Sequence, residues 1–245
     1  MVDDAPHLND ENSVDIRPWP AIELIGRAVV LATIARRGML EVETERDVFD
    51  LETDRFDLLT WARTELQNWI SDEELRLLNA PVGELNEDDL ADCDDALIGA
   101  STIAWTIRVV PSEQLPLPQD GIAEEQVLEW APEPWANVRQ LVNRARIRGD
   151  VELAAERERW ELWYWRATDA DDASHGLQEV VAEVRESGVM PVADNDLATD
   201  GGIAFGTLSP DEQDDIAWLS ELRLRSLNWA CGFGESWETA PLYID

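Results

Sequence analysis

The sequence contains no lysine: all nineteen of its basic residues are arginine. That absence removes whole mechanisms. A phosphate-binding loop needs a lysine on the terminal phosphates. A pyridoxal Schiff base, a lysine nucleophile and the strand lysine of a protein kinase are equally impossible. Histidine and cysteine are scarce, with two of each. His7 sits in a polar leader, so a Ser-His-Asp or Cys-His system would have to use His175, which follows Asp172 by three residues. No Gly-x-Ser-x-Gly elbow accompanies it, and His175 reads as a surface or capping residue. Cys93 and Cys231 lie far apart in sequence and give neither a disulfide framework nor a zinc site. Long apolar runs are missing too. The longest, at residues 28–35, falls far short of the roughly 20 residues of a membrane span. Residues 1–16 form an acidic, polar leader without the basic and apolar regions of a signal peptide. A reduced cytoplasm is the expected location. No run alternates like a strand, and no repeat period is present.

What the chain has in excess is acid. Fifty-three Asp and Glu residues give a net charge of −34. Such a field repels phosphates, so nucleic acid is excluded as a partner, and it attracts basic proteins. Self-repulsion keeps a chain soluble and monomeric. The balance fits a high-salt cytoplasm, where ions screen the repulsion, and equally a genome that spells its cations as arginine. Twelve Trp and 44% hydrophobic residues nevertheless describe a chain with a core.

Helical periodicity dominates. Ile22, Ile25, Val29 and Ala32 recur at spacings of three and four within residues 18–37, with Gly38 placed as a C-cap. Residues 41–52 are ambiguous. Phe56, Leu59, Ala62, Leu66 and Trp69 mark a second helix. Ser71-Asp-Glu-Glu is a capping box opening a third, and Asn86 caps a fourth, whose apolar face runs from Leu90 through Cys93 to Ile107. Cys93 therefore reads as a buried small hydrophobe. Further helices are predicted at 122–130, 135–148, 150–168, 173–186 and 210–230, the last capped by Ser209 with Glu212. The expected fold is all-α: one compact multi-helix domain over 17–245, with room for a small irregular or β-hairpin insertion at 188–208.

The order of the motifs is specific. Arg17-Pro18 leads into a helix with Arg27-Ala28, and Trp69 precedes the Ser71 box. The small-residue helix at 100–105 exits through Leu115-Pro116. Trp163-Tyr164-Trp165-Arg166-Ala167 follows, and the chain closes on Arg223, Ser226-Leu227-Asn228-Trp229 and Trp237. From about residue 17 to the end this resembles the bacterial domain-of-unknown-function family 4272, with 41–54 and 188–208 as local insertions. The resemblance implies a mostly helical cytoplasmic fold and carries no activity or functional residue with it.

Candidate sites are few. Asp194, Asp196 and Asp200 with Gly201 imitate a calcium loop, but the sixth position is Thr199, so the segment reads as a solvated loop. No metal and no cofactor is expected. Residues 135–149 carry Arg139, Arg144, Arg146 and Arg148 and no acid, and Arg157 and Arg159 come just after. Arginine forks suit a carboxylate or phosphate; they also suit pairing with the acidic helices around them. Trp160, Trp163 and Tyr164 share one helical face, while Trp165 beside Arg166 is placed to line a groove. Arg139, Arg144, Arg146, Arg148, Trp165 and Arg166 are thus the candidate anion- or partner-binding residues. The expected function is a non-enzymatic interaction module, regulatory or neutralising, whose partner is a basic protein; a nucleic-acid mimic is a special case. The alternatives are a carboxylate-based enzyme acting on an anionic small molecule held by Arg139 and Arg144, and a purely structural domain of a larger assembly.

Overall fold

The first helix has no wet side. In the computed structural model, which describes residues 16–116, 122–143, 145–168, 175–199 and 201–243, α1 (Ala21–Val42) is buried without a break from Leu24 to Ala35, and again at Arg37 and Gly38. A helix buried on every side lies in the middle of a fold, and Arg27 and Arg37 are buried with it. Its main partner is α4 (Glu87–Thr106). The expected stop at Gly38 is corrected here, because α1 runs on to Val42. At Gly38 the two helices cross, and a Cβ there would stand 2.6 Å from the Cβ of Cys93. The glycine is a point of close approach and not a cap.

The flanking elements follow their capping chemistry. The ambiguous segment resolves into a turn and the start of α2 (Val48–Glu65), where the Asp47 side chain accepts from the Phe49 N–H at 2.8 Å. Trp69 lies beyond its end, in the turn before α3 (Asp72–Asn79). Both the Ser71–Glu74 and Asn86–Asp89 boxes are closed reciprocally. α5 (Ile122–Trp130) packs on α4. α6 (Asp150–Thr168) pairs with α8 (Pro210–Ala230), and α8 also reaches α4, so two helix pairs share one core. α7 (His175–Ser187) covers a two-stranded antiparallel hairpin, β1 (Val192–Ala193) and β2 (Asp196–Leu197), with Val192 opposite Leu197. The fold is all-α with a small hairpin inside 188–208.

One predicted helix is not there. The described residues of 135–148 contain a single 3₁₀ turn, Val138–Leu141, and otherwise run as turn and extended chain. Pro132 and Pro134 interrupt the approach, and Trp135 takes φ +75°. Farther on, the Arg146 and Arg148 N–H groups donate to the Ile107 and Thr106 carbonyls, laying the segment along the end of α4. The period-3.6 apolar stripe that would stabilise a helix is absent; of the described residues there, only Val138 and Arg148 are buried.

The two ends of the domain meet. Arg17 and Trp19 donate their N–H groups to the Cys231 and Ala230 carbonyls at 2.9 and 3.2 Å, and the Trp19 ring stacks on Trp229. Gly232, at φ +92°, lets the chain turn there against the Arg17 backbone. Among the described residues no helix is long and apolar enough to cross a membrane.

Candidate functional site

The arginines have gone inside. Arg27, Arg37, Arg148, Arg157, Arg159, Arg166 and Arg223 are all buried. Arg148 donates to the Trp105, Val110 and Ser112 carbonyls at 2.8 to 3.0 Å and lies 4.1 Å over the Trp105 ring. Burial, with Arg108 nearby, pulls its pKa below the usual arginine value. Arg166 forks onto Asp196 at 2.7 and 2.8 Å. Arg159 holds Glu156 and the Leu115 carbonyl, Arg223 reaches the Pro116 carbonyl, and both guanidinium groups sit over Trp160. These groups fasten loops to the core. Most of their donors meet acceptors of the protein itself, although Arg27 Nε and Arg37 Nη1 have no hydrogen-bond partner among the described residues.

The predicted site residues are therefore not brought together. Arg148 and Arg166 point into different parts of the core. Arg139 and Arg146 are exposed, and Arg146 donates to the Asn143 and Ala145 carbonyls. Arg144 lies outside the described residues, as do His7, Asp172, Asp200 and the leader up to residue 15. Asp196 is turned inward onto Arg166, so it is not a free ligand of the loop it belongs to.

Trp165 does line a groove, in which the buried Arg166 takes no part. It forms, with Tyr243, the aromatic part of a cleft of about 350 Å³ whose polar part is Glu158, Glu161 and Glu183. Tyr243 also meets Tyr164, ring to ring at 5.7 Å. Burial, and then the neighbouring Glu183 and Glu161, push the Glu158 carboxyl above the usual carboxylate range.

A second cleft is built with more care. It has a volume of about 320 Å³ and gathers the rings of Trp69, Trp229 and Trp237 around Arg27. Arg27 leaves α1 to fork onto Glu74 at 2.7 and 3.0 Å, pairs with Glu238 at 2.9 Å and lies 5.2 Å over the Trp237 ring. Glu74 is at the same time the acid of the Ser71 capping box. The Trp69 indole donates to Glu23 at 2.9 Å, and that of Trp237 donates to Ser226 at 3.0 Å. Gly99 on α4 admits Trp237, since a Cβ there would come within 2.7 Å of the ring. Glu74 and Glu238 hold the guanidinium, and Glu23 and Glu235 line the same cleft. An adjoining hollow of about 270 Å³ shares Trp237 and adds Asp92 and Asp95, whose carboxyls are raised by burial and then by neighbouring acids.

Both clefts combine aromatic faces with surplus carboxylate. That pairing accepts a cation carried on an apolar stem. Nucleophilic chemistry is poorly served by either thiol. Burial pushes Cys93 and Cys231 up to about 12, so both stay protonated. Among the described residues no three His, Cys, Asp or Glu side chains are grouped to hold a metal ion. Sequence reasoning did not single out the Arg27 cleft as a site. Arg27, Trp69 and Trp237 are nonetheless residues on which the family resemblance rests. The available signal was a surplus of Trp that the helical stripes leave unexplained.

No family model, curated protein or solved structure matches the chain. The resemblance to family 4272 stands on the quoted residues alone.

Proposed function

We propose that this protein is a non-enzymatic acidic module that captures a basic protein, as a regulator or neutraliser, by receiving cationic side chains in clefts of tryptophan and glutamate. One observation carries the reading: the arginines lining or adjoining those clefts are already committed to internal partners, so the carboxylates outnumber them where aromatic rings face solvent. An exposed cation-π contact is worth about 0.5–1 kcal/mol, and a surrounding negative field adds mainly to the association rate. Several shallow clefts acting together suit capture of a highly basic surface.

The test is a calorimetric titration with oligoarginine, with oligoglutamate as control, alongside affinity purification from the native host at low salt. Oligoarginine binding that weakens steeply as salt rises from about 0.05 to 0.5 M is expected, together with recovery of a cationic protein. Absence of oligoarginine binding at low salt would overturn the proposal.

A further inference from the structure

Trp135 is held out of the core by force. Its indole is 59% exposed, and its backbone sits at φ +75°, a conformation that a bulky side chain rarely adopts. The flanks are pinned from two helices. Arg36 of α1 donates to the Leu128, Ala131 and Pro132 carbonyls at 2.7 to 2.9 Å. From α2, the Trp61 indole donates to the Ala136 carbonyl at 2.9 Å, and Glu65 accepts from the Val138 N–H at 2.8 Å. The backbone that carries the ring is fixed before any partner arrives, which lowers the entropy lost on binding. Trp is also the side chain that most often anchors protein interfaces.

Beneath it runs a groove of about 390 Å³, with Met39, Leu40, Leu58 and Pro134 as its apolar lining. Met39 is 42% exposed, and Val42, Phe49 and Phe56 on the same two helices are exposed as well. The rim is acidic. Glu133, its side chain 85% exposed, makes a long ion pair with Arg36 at 3.7 Å, Asp54 pairs with Arg46, and Asp57 has no ion pair among the described residues. Arg36, the cation in the lining, is spent on the three carbonyls.

We infer that this groove docks an amphipathic basic segment of a partner protein. A bulky apolar side chain lies against Met39, Leu58 and Trp135, and neighbouring Lys or Arg residues meet Asp57 and Glu133. The inference rests on the basic-partner reading and adds where the partner sits and that it must be apolar as well as cationic. A second copy of this chain is the wrong occupant, since it brings the same net charge of −34 to an acidic rim.

A synthetic helical peptide with Leu and Lys on opposite faces, titrated calorimetrically into the full chain, tests it. Trp135→Gly removes the ring, and glycine takes φ +75° without strain, so the variant keeps or gains thermal stability. It is expected to weaken the peptide at least about tenfold, whereas Val151→Ala, an exposed apolar residue that lines none of these clefts, changes the affinity less than about twofold. The double change Asp57→Asn and Glu133→Gln flattens the salt dependence. Equal binding by wild type and Trp135→Gly overturns the docking site but leaves the basic-partner reading intact. Failure of both this peptide and oligoarginine to bind overturns both. A dimer that dissociates in Trp135→Gly, seen by sedimentation, identifies a second copy as the occupant and overturns the partner assignment.

Discussion

A guanidinium tolerates burial when its donors meet acceptors, and here carbonyl oxygens serve as often as carboxylates. Arg166 shows what the arrangement is worth. Its partner Asp196 also accepts from the Leu197 and Gly206 N–H groups at 2.8 and 2.9 Å. Burial alone would raise the Asp196 carboxyl, but Arg166 and these N–H groups outweigh it and hold the acid below its usual range. The unfolded chain then binds more protons than the folded one across that range. The contribution is therefore present above the unfolded pKa and lost as pH falls through the folded one. Asp196→Asn, which leaves Arg166 buried without its counter-charge, is expected to cost about 3–5 kcal/mol at pH 7 in denaturant unfolding. Because wild type itself loses this term on acidification, the gap between the two narrows at low pH.

Helix ends and helix crossings decide the next scale. Ser71–Glu74 and Ser209–Glu212 are the same box in sequence, yet their acids do different amounts of work. Glu212 serves only its own cap, in solvent. Glu74 closes its cap and also neutralises buried Arg27. Glu74→Gln is expected to lose about 3–5 kcal/mol, and Glu212→Gln to shift the unfolding midpoint only slightly, in parallel chemical denaturation. Gly38→Ala offers a second comparison. Alanine gains about 1 kcal/mol of helix propensity, but a Cβ 2.6 Å from that of Cys93 forces overpacking worth about 1–3 kcal/mol. Net destabilisation, read from Tm, is expected. These cases also show what was legible beforehand. Caps were readable because their chemistry is local: the boxes at 71 and 209 and the Asn86 cap are where the side-chain pattern put them. Gly38 was misread because a glycine at a crossing and a glycine at a stop look alike without the partner helix. Residues 135–148 were misread because an acid-free stretch between Pro134 and Gly149 resembles a helix until α4 is there to take its N–H groups.

For the molecule as a whole, attraction and repulsion occupy different places. The strongest ion pairs are buried, at Arg27, Arg159 and Arg166, out of reach of salt. The unpaired acids face solvent, where salt screens their repulsion. Raising NaCl from about 0.1 to 1 M is therefore expected to raise Tm in calorimetry, and a fall would show that exposed pairs dominate. The same segregation explains why the clefts were only half legible. The charge balance suggested a cationic partner, and Trp165 lines a cleft in which Arg166, expected beside it, takes no part. Which arginines had been withdrawn into the core, and which indoles left outside, depends on contacts distant in sequence, such as Arg27 with Glu238 or Trp61 with Ala136. The central position of α1 carries a cost of a different kind. Synthesis is vectorial, at about 5–20 residues per second, and α1 emerges before α4 and long before α8 and the segment carrying Trp237. For seconds the apolar run of α1 from Ala28 to Ala35, broken only by Thr33, has no partner, so the nascent chain is most prone to aggregate at the element that later lies deepest.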